Sequence, residues 1–263
     1  MSYYSTDQSE RSCEVLGQIV SIVPNATLIG GWGTWVRLHG EMSHDVDFIV
    51  DYEELSVLRN TITDFSTSTH VGGVQYRGDY NDIHIDLYVP HQSRLGERLQ
   101  LRVEDLVEFS EVVDGYHVLS VEAHMASKTA ALLDRPDTRP GDKDRHELFE
   151  LMKHFGADGR KVREIIEKSS NHSASELNGL MSEASRYMSE YEPSAIAVRL
   201  SKNDREMMRS FASATTYPVE FDLTSNLDPT TSTNSLGIKF VPPYVRSDGT
   251  QVKGYPNPKR KGR

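Results

Sequence analysis

The stretch Asp82-Ile83-His84-Ile85-Asp86-Leu87-Tyr88-Val89 alternates polar and apolar side chains without a break. A period of two fits an extended strand with one dry face and one wet face. Ile83, Ile85, Leu87 and Val89 then face one side, and Asp82, His84, Asp86 and Tyr88 the other. Asp86 sits mid-strand, where an unpaired carboxylate is costly to desolvate. His84 reads as a surface residue of the same strand. Earlier in the chain, Asp45-Val46-Asp47 opens the apolar run Phe48-Ile49-Val50. Asp45 and Asp47 therefore project from one face of a strand expected over 45–50. An isolated Asp-x-Asp reads as a solvated strand end, and a second acidic strand changes that reading. If the two strands are neighbours, Asp45, Asp47 and Asp86 form a carboxylate triad. Such a triad repels itself unless cations neutralise it. Magnesium suits it, with hard oxygen ligands and room left for phosphate oxygens. Three acids can hold two divalent ions, as phosphoryl and nucleotidyl transfer require. An EF-hand calcium loop is not expected, because that pattern needs further oxygen ligands and a glycine directly after, where Phe48-Ile49-Val50 follow.

Gly30-Gly31 follows a strand candidate, Ala26–Ile29, and precedes a short helix candidate, Trp32–Leu38. Its amides could cradle phosphate oxygens at a helix N-terminus. Around these motifs the pattern predicts a helix over 9–23 ended by Pro24, a polar helix over 52–65, and strands over 74–77, 83–89 and 112–118. From Ser120 onward the pattern is helical, over 121–134, 142–155, 159–168, a segment capped by Ser173 and Glu176, and 195–212. Residues 224–236 have a linker composition. A hairpin is expected around Ser247-Asp248-Gly249, followed by a basic tail. The fold class is therefore α+β: a mixed sheet flanked by helices, then a helical domain and a small C-terminal hairpin and tail. Three regions are expected, 1–119, 120–215 and 216–263.

The 263 residues carry a net charge of −10, which argues against a broad basic face for duplex binding. Residues 239–263 are the exception, with seven Lys and Arg against one Asp. That run beside Tyr244 and Tyr255 could hold an RNA backbone, or it could be a solvated tail. The sole cysteine, Cys13, excludes an intrachain disulfide and argues against a Cys-based zinc site. No stretch is apolar for long enough to cross a bilayer, and the N-terminus lacks a secretory pattern, so a cytoplasmic location is expected.

The order Gly-Gly, short helix, Asp-x-Asp strand and lone strand Asp resembles the DNA polymerase β-type nucleotidyltransferase superfamily. GGWGTW, Ser43, Asp45-Val46-Asp47 and Lys128 bring it nearest to the AbiEii-like toxin nucleotidyltransferases of abortive-infection and toxin–antitoxin systems. The resemblance covers roughly residues 12–155. It implies an enzyme that uses magnesium and a nucleoside triphosphate (NTP) donor. The acceptor would be a hydroxyl, in some members the 3′ end of tRNA, and a cognate antitoxin would be the partner. Carried over by position, Asp45, Asp47 and Asp86 are metal ligands, Gly30, Gly31 and Ser43 hold phosphate, and Lys128 contacts the triphosphate. Asp144, which follows Lys143, is a secondary catalytic or orienting residue, with Glu147 as the acid three positions on. Independently, Lys128 shares a helical stripe with Val121, Met125 and Leu132, an unusual place for a lysine. Asp144 shares one with Leu148, Leu151 and Phe155. Glu41 departs from the pattern, because relatives often carry Arg there. Arg37, His39, Arg135 or Arg139 could substitute. The terminal pattern Tyr244-x-Arg246-x-Asp248-Gly249-Thr250-x-Val252-x-Gly254 resembles a short appendage of varied prokaryotic and phage-related proteins. Two alternatives stand beside the toxin reading. One is a small-molecule nucleotidyltransferase of the aminoglycoside type, and the other is a catalytically degenerate binding module.

Overall fold

The computed structural model describes residues 6–70, 73–191 and 200–216, and the backbone of 239–241, 244–245, 251–252 and 255–257. The chain divides into two compact units, Met1–Tyr217 and Pro218–Arg263. In the first, helix α1 (Thr6–Ile22) leads to β1 (Thr27–Leu28), α2 (Gly30–Leu38), β2 (Val46–Ile49) and α3 (Tyr52–Arg59). Then come β3 (Thr63–His70), β4 (Gly73–Tyr80), β5 (Ile83–Tyr88), β6 (Arg94–Leu95), β7 (Leu101–Arg102), α4 (Val103–Val107), β8 (Ser110–Val113) and β9 (Tyr116–Leu119). Five helices follow: α5 (Val121–Asp134), α6 (Arg139–Phe155), α7 (Gly159–Ser169), α8 (Ala174–Ser189) and α9 (Lys202–Thr215). The expected boundary at 119/120 falls between β9 and α5, and the helices beyond it lie in the same unit as the sheet.

Seven strands form one mixed sheet in the order β3-β4-β5-β2-β1-β9-β8. β2 and β5 are parallel neighbours, with Asp47 opposite Asp86. β1 runs antiparallel to β2, and the amide of Ile29 donates to the carbonyl of Asp47 at 3.0 Å. The chain therefore leaves β1 beside the acidic strand and turns directly into α2. Ile83, Ile85 and Leu87 of β5 are buried, as their alternation predicts, and pack with Val46, Phe48 and Trp32 against α1. Trp32 donates its indole N–H to Ser12 at 2.9 Å, pinning α2 to α1. A second core joins the helices to the sheet, with Met125, Leu132, Leu148, Leu151, Ile165 and Met181 clustering with Ile29, Ile49 and Leu119.

Several expectations change. The strand over 45–50 is shorter, and Asp45 sits in a bend just before β2. The helix over 52–65 stops at Arg59, where Asn60 and Thr61 donate side-chain hydrogen bonds back to the Ser56 and Val57 carbonyls. Residues 63–70 instead pair with β4 as the sheet edge. The strand over 112–118 is a hairpin, because Asp114 and Gly115 both adopt positive φ (51° and 85°) and reverse the chain. Helix α6 begins at Arg139, three residues before its expected start at 142, capped by Thr138, whose hydroxyl accepts from the Gly141 amide at 3.1 Å. The capping box of Ser173 and Glu176 is present. The first part of the helix over 195–212 and the linker over 224–236 lie outside the described residues. In the second unit, β10 (Lys239–Val241) pairs with β13 (Tyr255–Asn257), and β11 (Tyr244–Val245) with β12 (Gln251–Val252). The turn expected between β11 and β12 is outside the described residues.

Candidate active site

A cavity of about 430 Å³ opens where β2 and β5 meet α2, α5 and α6. Asp45, Asp47 and Asp86 line one wall, together with Gly30, Gly31 and Ser43. Lys128, Arg135, Lys143 and Asp144 also line it. All eight residues singled out from the sequence, Gly30, Gly31, Ser43, Asp45, Asp47, Asp86, Lys128 and Asp144, thus border one space.

The glycines are required by what lies against them. Gly30 has φ +63°, and a Cβ there would fall 2.1 Å from Oδ2 of Asp47. A Cβ on Gly31 would fall 2.6 Å from the Ser43 hydroxyl and 2.9 Å from the Lys143 ammonium. The Ser43 hydroxyl in turn donates to Asp45 Oδ1 at 3.2 Å. The pair therefore lets Asp47, Ser43 and Lys143 close onto the first turn of α2. That helix carries its glycines within its first turn, two residues earlier than its expected start.

The aspartates are electrostatically crowded. Burial, then the neighbouring Asp45 and Asp86 carboxylates, push the Asp47 carboxyl up to about 8, against the opposing pull of Lys128 and Arg135. Burial also raises Asp86, although His84 and Arg77 oppose it. Nε2 of His84 lies 3.4 Å from Asp86 and Nδ1 lies 3.2 Å from Asp79, so this exposed ring touches the back of the triad. Oδ1 of Asp86 is buried, with His84 Nε2 at 3.4 Å and Arg77 Nε at 3.8 Å as its basic neighbours. Beside it, Tyr88 accepts a hydrogen bond from Gln75 at 3.1 Å, and burial raises its phenol well above the usual range.

Crowded, buried carboxylates suit a divalent cation. Among the described residues, no group of three or more His, Cys, Asp or Glu is arranged to hold a metal ion by itself. The three aspartates of the expected triad therefore do not by themselves make a metal site among the described residues.

On the cationic wall, Lys128, Lys143, Asp144 and Glu147 are each at most 5% exposed. The Lys128 ammonium contacts Glu147 and lies 3.2 Å from Asp144. Burial opposes its charge, but Glu147 and Asp144 outweigh burial and hold it above the ordinary lysine value. Arg135 reaches Oδ2 of Asp144 through Nε and a terminal nitrogen, both at 2.8 Å. Lys143 lies 3.7 Å from Glu147, and burial lowers its affinity for the proton. Of the candidates to replace an arginine at Glu41, Arg135 borders the cavity. Arg37 is committed elsewhere, to Glu111 and the Leu119 carbonyl, and His39 lies 3.5 Å from Asp114. Sequence reasoning assigned no role to Lys143, Gln75 or Tyr88. Tyr88 was on the correct face of β5, whereas no local pattern marks Lys143 as reaching α2.

No family model matches the chain, and no curated protein matches it. Solved structures with a similar backbone include JHP933 from Helicobacter pylori (TM-score 0.44, 15% identity, covering 81% of this chain and 94% of that one). An antigenic nucleotidyltransferase-like protein from Paracoccidioides brasiliensis is another (0.31, 16%, 57% and 77%). The Megavirus polyadenylate synthase is a third (0.36, 10%, 95% and 57%). With TM-scores below 0.5, the functional reading rests on the site itself.

Proposed function

We propose that this chain is a magnesium-dependent nucleotidyltransferase that moves a nucleoside monophosphate from an NTP to an acceptor hydroxyl. The observation that carries the reading is the pairing of Asp47 with Asp86 across parallel strands, with Asp45 beside them and buried cations bordering the same cavity. An acidic wall suits metal ions and a cationic wall suits phosphates, so a metal–triphosphate complex complements both.

Asp45, Asp47 and Asp86 would hold magnesium, which when bound neutralises phosphate charge and activates the acceptor oxygen. Asp86 takes the proton from the acceptor hydroxyl. The oxygen then bonds to the α-phosphorus as the bond to the departing pyrophosphate breaks. Gly30, Gly31 and Ser43 position the phosphates, and the cationic wall steadies the developing charge. Asp144 and Glu147 orient that wall.

The acceptor class we infer is RNA, with the tRNA 3′ end as the first candidate. Support comes from the basic run in residues 239–263. A growth-arrest toxin role and an antitoxin partner follow from the family resemblance alone.

The test is label transfer from each α-labelled ribonucleoside triphosphate to total RNA, with magnesium, for wild type and Asp47→Asn. Wild type should label a tRNA-sized band with one donor, and the variant should be slower by about 100-fold or more. A second readout is thermal. The raised Asp47 value means that its ionised form opposes folding, increasingly so as pH climbs above the ordinary carboxylate range. Asp47→Asn should therefore melt higher than wild type in chelator, while magnesium should raise the wild-type melting temperature only. Unchanged transfer by the variant would falsify the assignment.

A further inference from the structure

We infer that Lys143 is the side chain that grips the donor triphosphate at the Gly30–Gly31 turn, while Lys128 serves as the buried counter-ion that orients Asp144 and Glu147. This rests on the nucleotidyltransferase reading and assigns a residue within that same site.

The first argument is position. The Lys143 ammonium stands 2.9 Å from where a Gly31 Cβ would be, so it is packed against the first turn of α2. The earliest backbone bond closing that helix runs from the Gly33 amide to the Ile29 carbonyl, at 3.1 Å. The amides ahead of Gly33 have no acceptor within the helix. A phosphate lying on that turn would meet amides, the Ser43 hydroxyl and the Lys143 ammonium together.

The second argument is charge. Lys128 contacts Glu147 and lies 3.2 Å from Asp144, so its ammonium rests on two carboxylates, which outweigh its burial. Lys143 shares Glu147 at the longer distance of 3.7 Å. Glu147, Asp45 and Glu41 favour its charge, yet burial outweighs them. Both lysines border the cavity, and Lys143 is packed against the glycine turn. Lys128 already directs two of its three N–H donors at carboxylates that are themselves almost wholly buried, so less of its charge is left for a phosphate.

The third argument is reach. Lys143 and Asp144 are adjacent on α6, yet Lys143 extends to the glycine turn and Asp144 to Lys128 and Arg135. One helical turn thus serves both the phosphate cradle and the ion network behind it.

The experiment measures equilibrium binding of each ribonucleoside triphosphate, and of the matching nucleoside, in magnesium. It compares wild type, Lys143→Met, which keeps the stem but not the charge, and Lys143→Arg. Removing one charge-assisted phosphate contact should weaken triphosphate binding of Lys143→Met by about tenfold or more. Nucleoside affinity should stay unchanged, and Lys143→Arg should recover most of the loss. If Lys143→Met fails to fold by circular dichroism, Lys143→Gln is read in the same way. Triphosphate binding of equal affinity in wild type and the uncharged variant overturns the Lys143 assignment and leaves the enzyme reading intact. Parallel weakening of nucleoside and triphosphate binding also overturns it, since that is a structural effect. A wild type that binds no triphosphate removes the enzyme reading and this assignment with it.

Discussion

At the residue scale the site depends on groups that never face its cavity. His124 is fully buried on α5, one turn before Lys128. Its Nε2 lies 2.8 Å from the Thr34 hydroxyl on α2, and Gly33 leaves room for the ring, since a Cβ there would fall 2.6 Å from Cε1. The imidazole therefore ties the helix of the glycine turn to the helix of the buried lysine. Burial, then Lys128 and Arg37, hold its proton affinity well below the ordinary histidine value of 6.5. The folded state needs the neutral ring, while the unfolded chain takes up a proton below that ordinary value. This contribution to stability is thus present above pH 6.5 and declines as pH falls below it. Denaturant unfolding should show His124 costing the wild type about 1 kcal/mol between about pH 7.5 and about pH 5.5. His124→Gln, which retains a partner for Thr34, should lose less over the same interval. An equal loss in both proteins would remove His124 as the source.

At the element scale, α5 also fixes the far side of the cavity. Asp134, its last residue, accepts the backbone amides of Glu97 and Arg98 at 2.8 and 3.0 Å, holding the Gly96 turn against the helix. Arg98 then reaches α8, where its two terminal nitrogens meet Glu183 at 2.9 and 2.6 Å. The Arg98 hydrogen bond, then that of Tyr187, lower Glu183 from 4.5 to about 2. A depressed carboxylate contributes stability above its unfolded value of 4.5 and loses it as pH falls through about 2. Glu183→Gln should therefore melt below wild type at neutral pH. The gap should close across that acid window, followed by circular dichroism, and a gap independent of pH would assign the effect to packing. None of these links has a sequence signature. The β5 strand was legible because burial imposes a period on adjacent residues, and Gly30-Gly31 and Asp45-Val46-Asp47 because they are local, whereas α5 is buried at nearly every position from Ala123 to Leu133 and shows no such period. β3 was hidden, since Thr63–His70 is a polar edge strand whose order comes from pairing with β4. β6 and β7, two residues each, are too short to show a period. The contacts of Lys128 with Asp144 and Glu147 join different helices, so only the packing of α5 on α6 reveals them.

At the scale of the whole molecule, the cavity and the basic run lie in different units of the chain. Every residue bordering the cavity lies between Ile29 and Asp144, inside the unit Met1–Tyr217. The basic run that motivates an RNA acceptor lies in the other unit, Pro218–Arg263. The sequence made both features visible, since a carboxylate pattern and a charge run are each local. A chain ending at Tyr217 should consequently keep its fold, its magnesium-dependent gain in melting temperature and its NTP affinity. Its RNA affinity should fall, and so should the salt dependence of that affinity. For single strands, every phosphate that the shortened chain no longer neutralises should flatten the plot of log affinity against log salt by about 0.7. Filter binding of total tRNA to both chains across a salt series measures this slope directly. Equal slopes would mean that residues 239–263 hold no RNA. The acidic body, with a net charge of −10 for the whole chain despite that basic run, would then favour a small cationic acceptor in the same cavity.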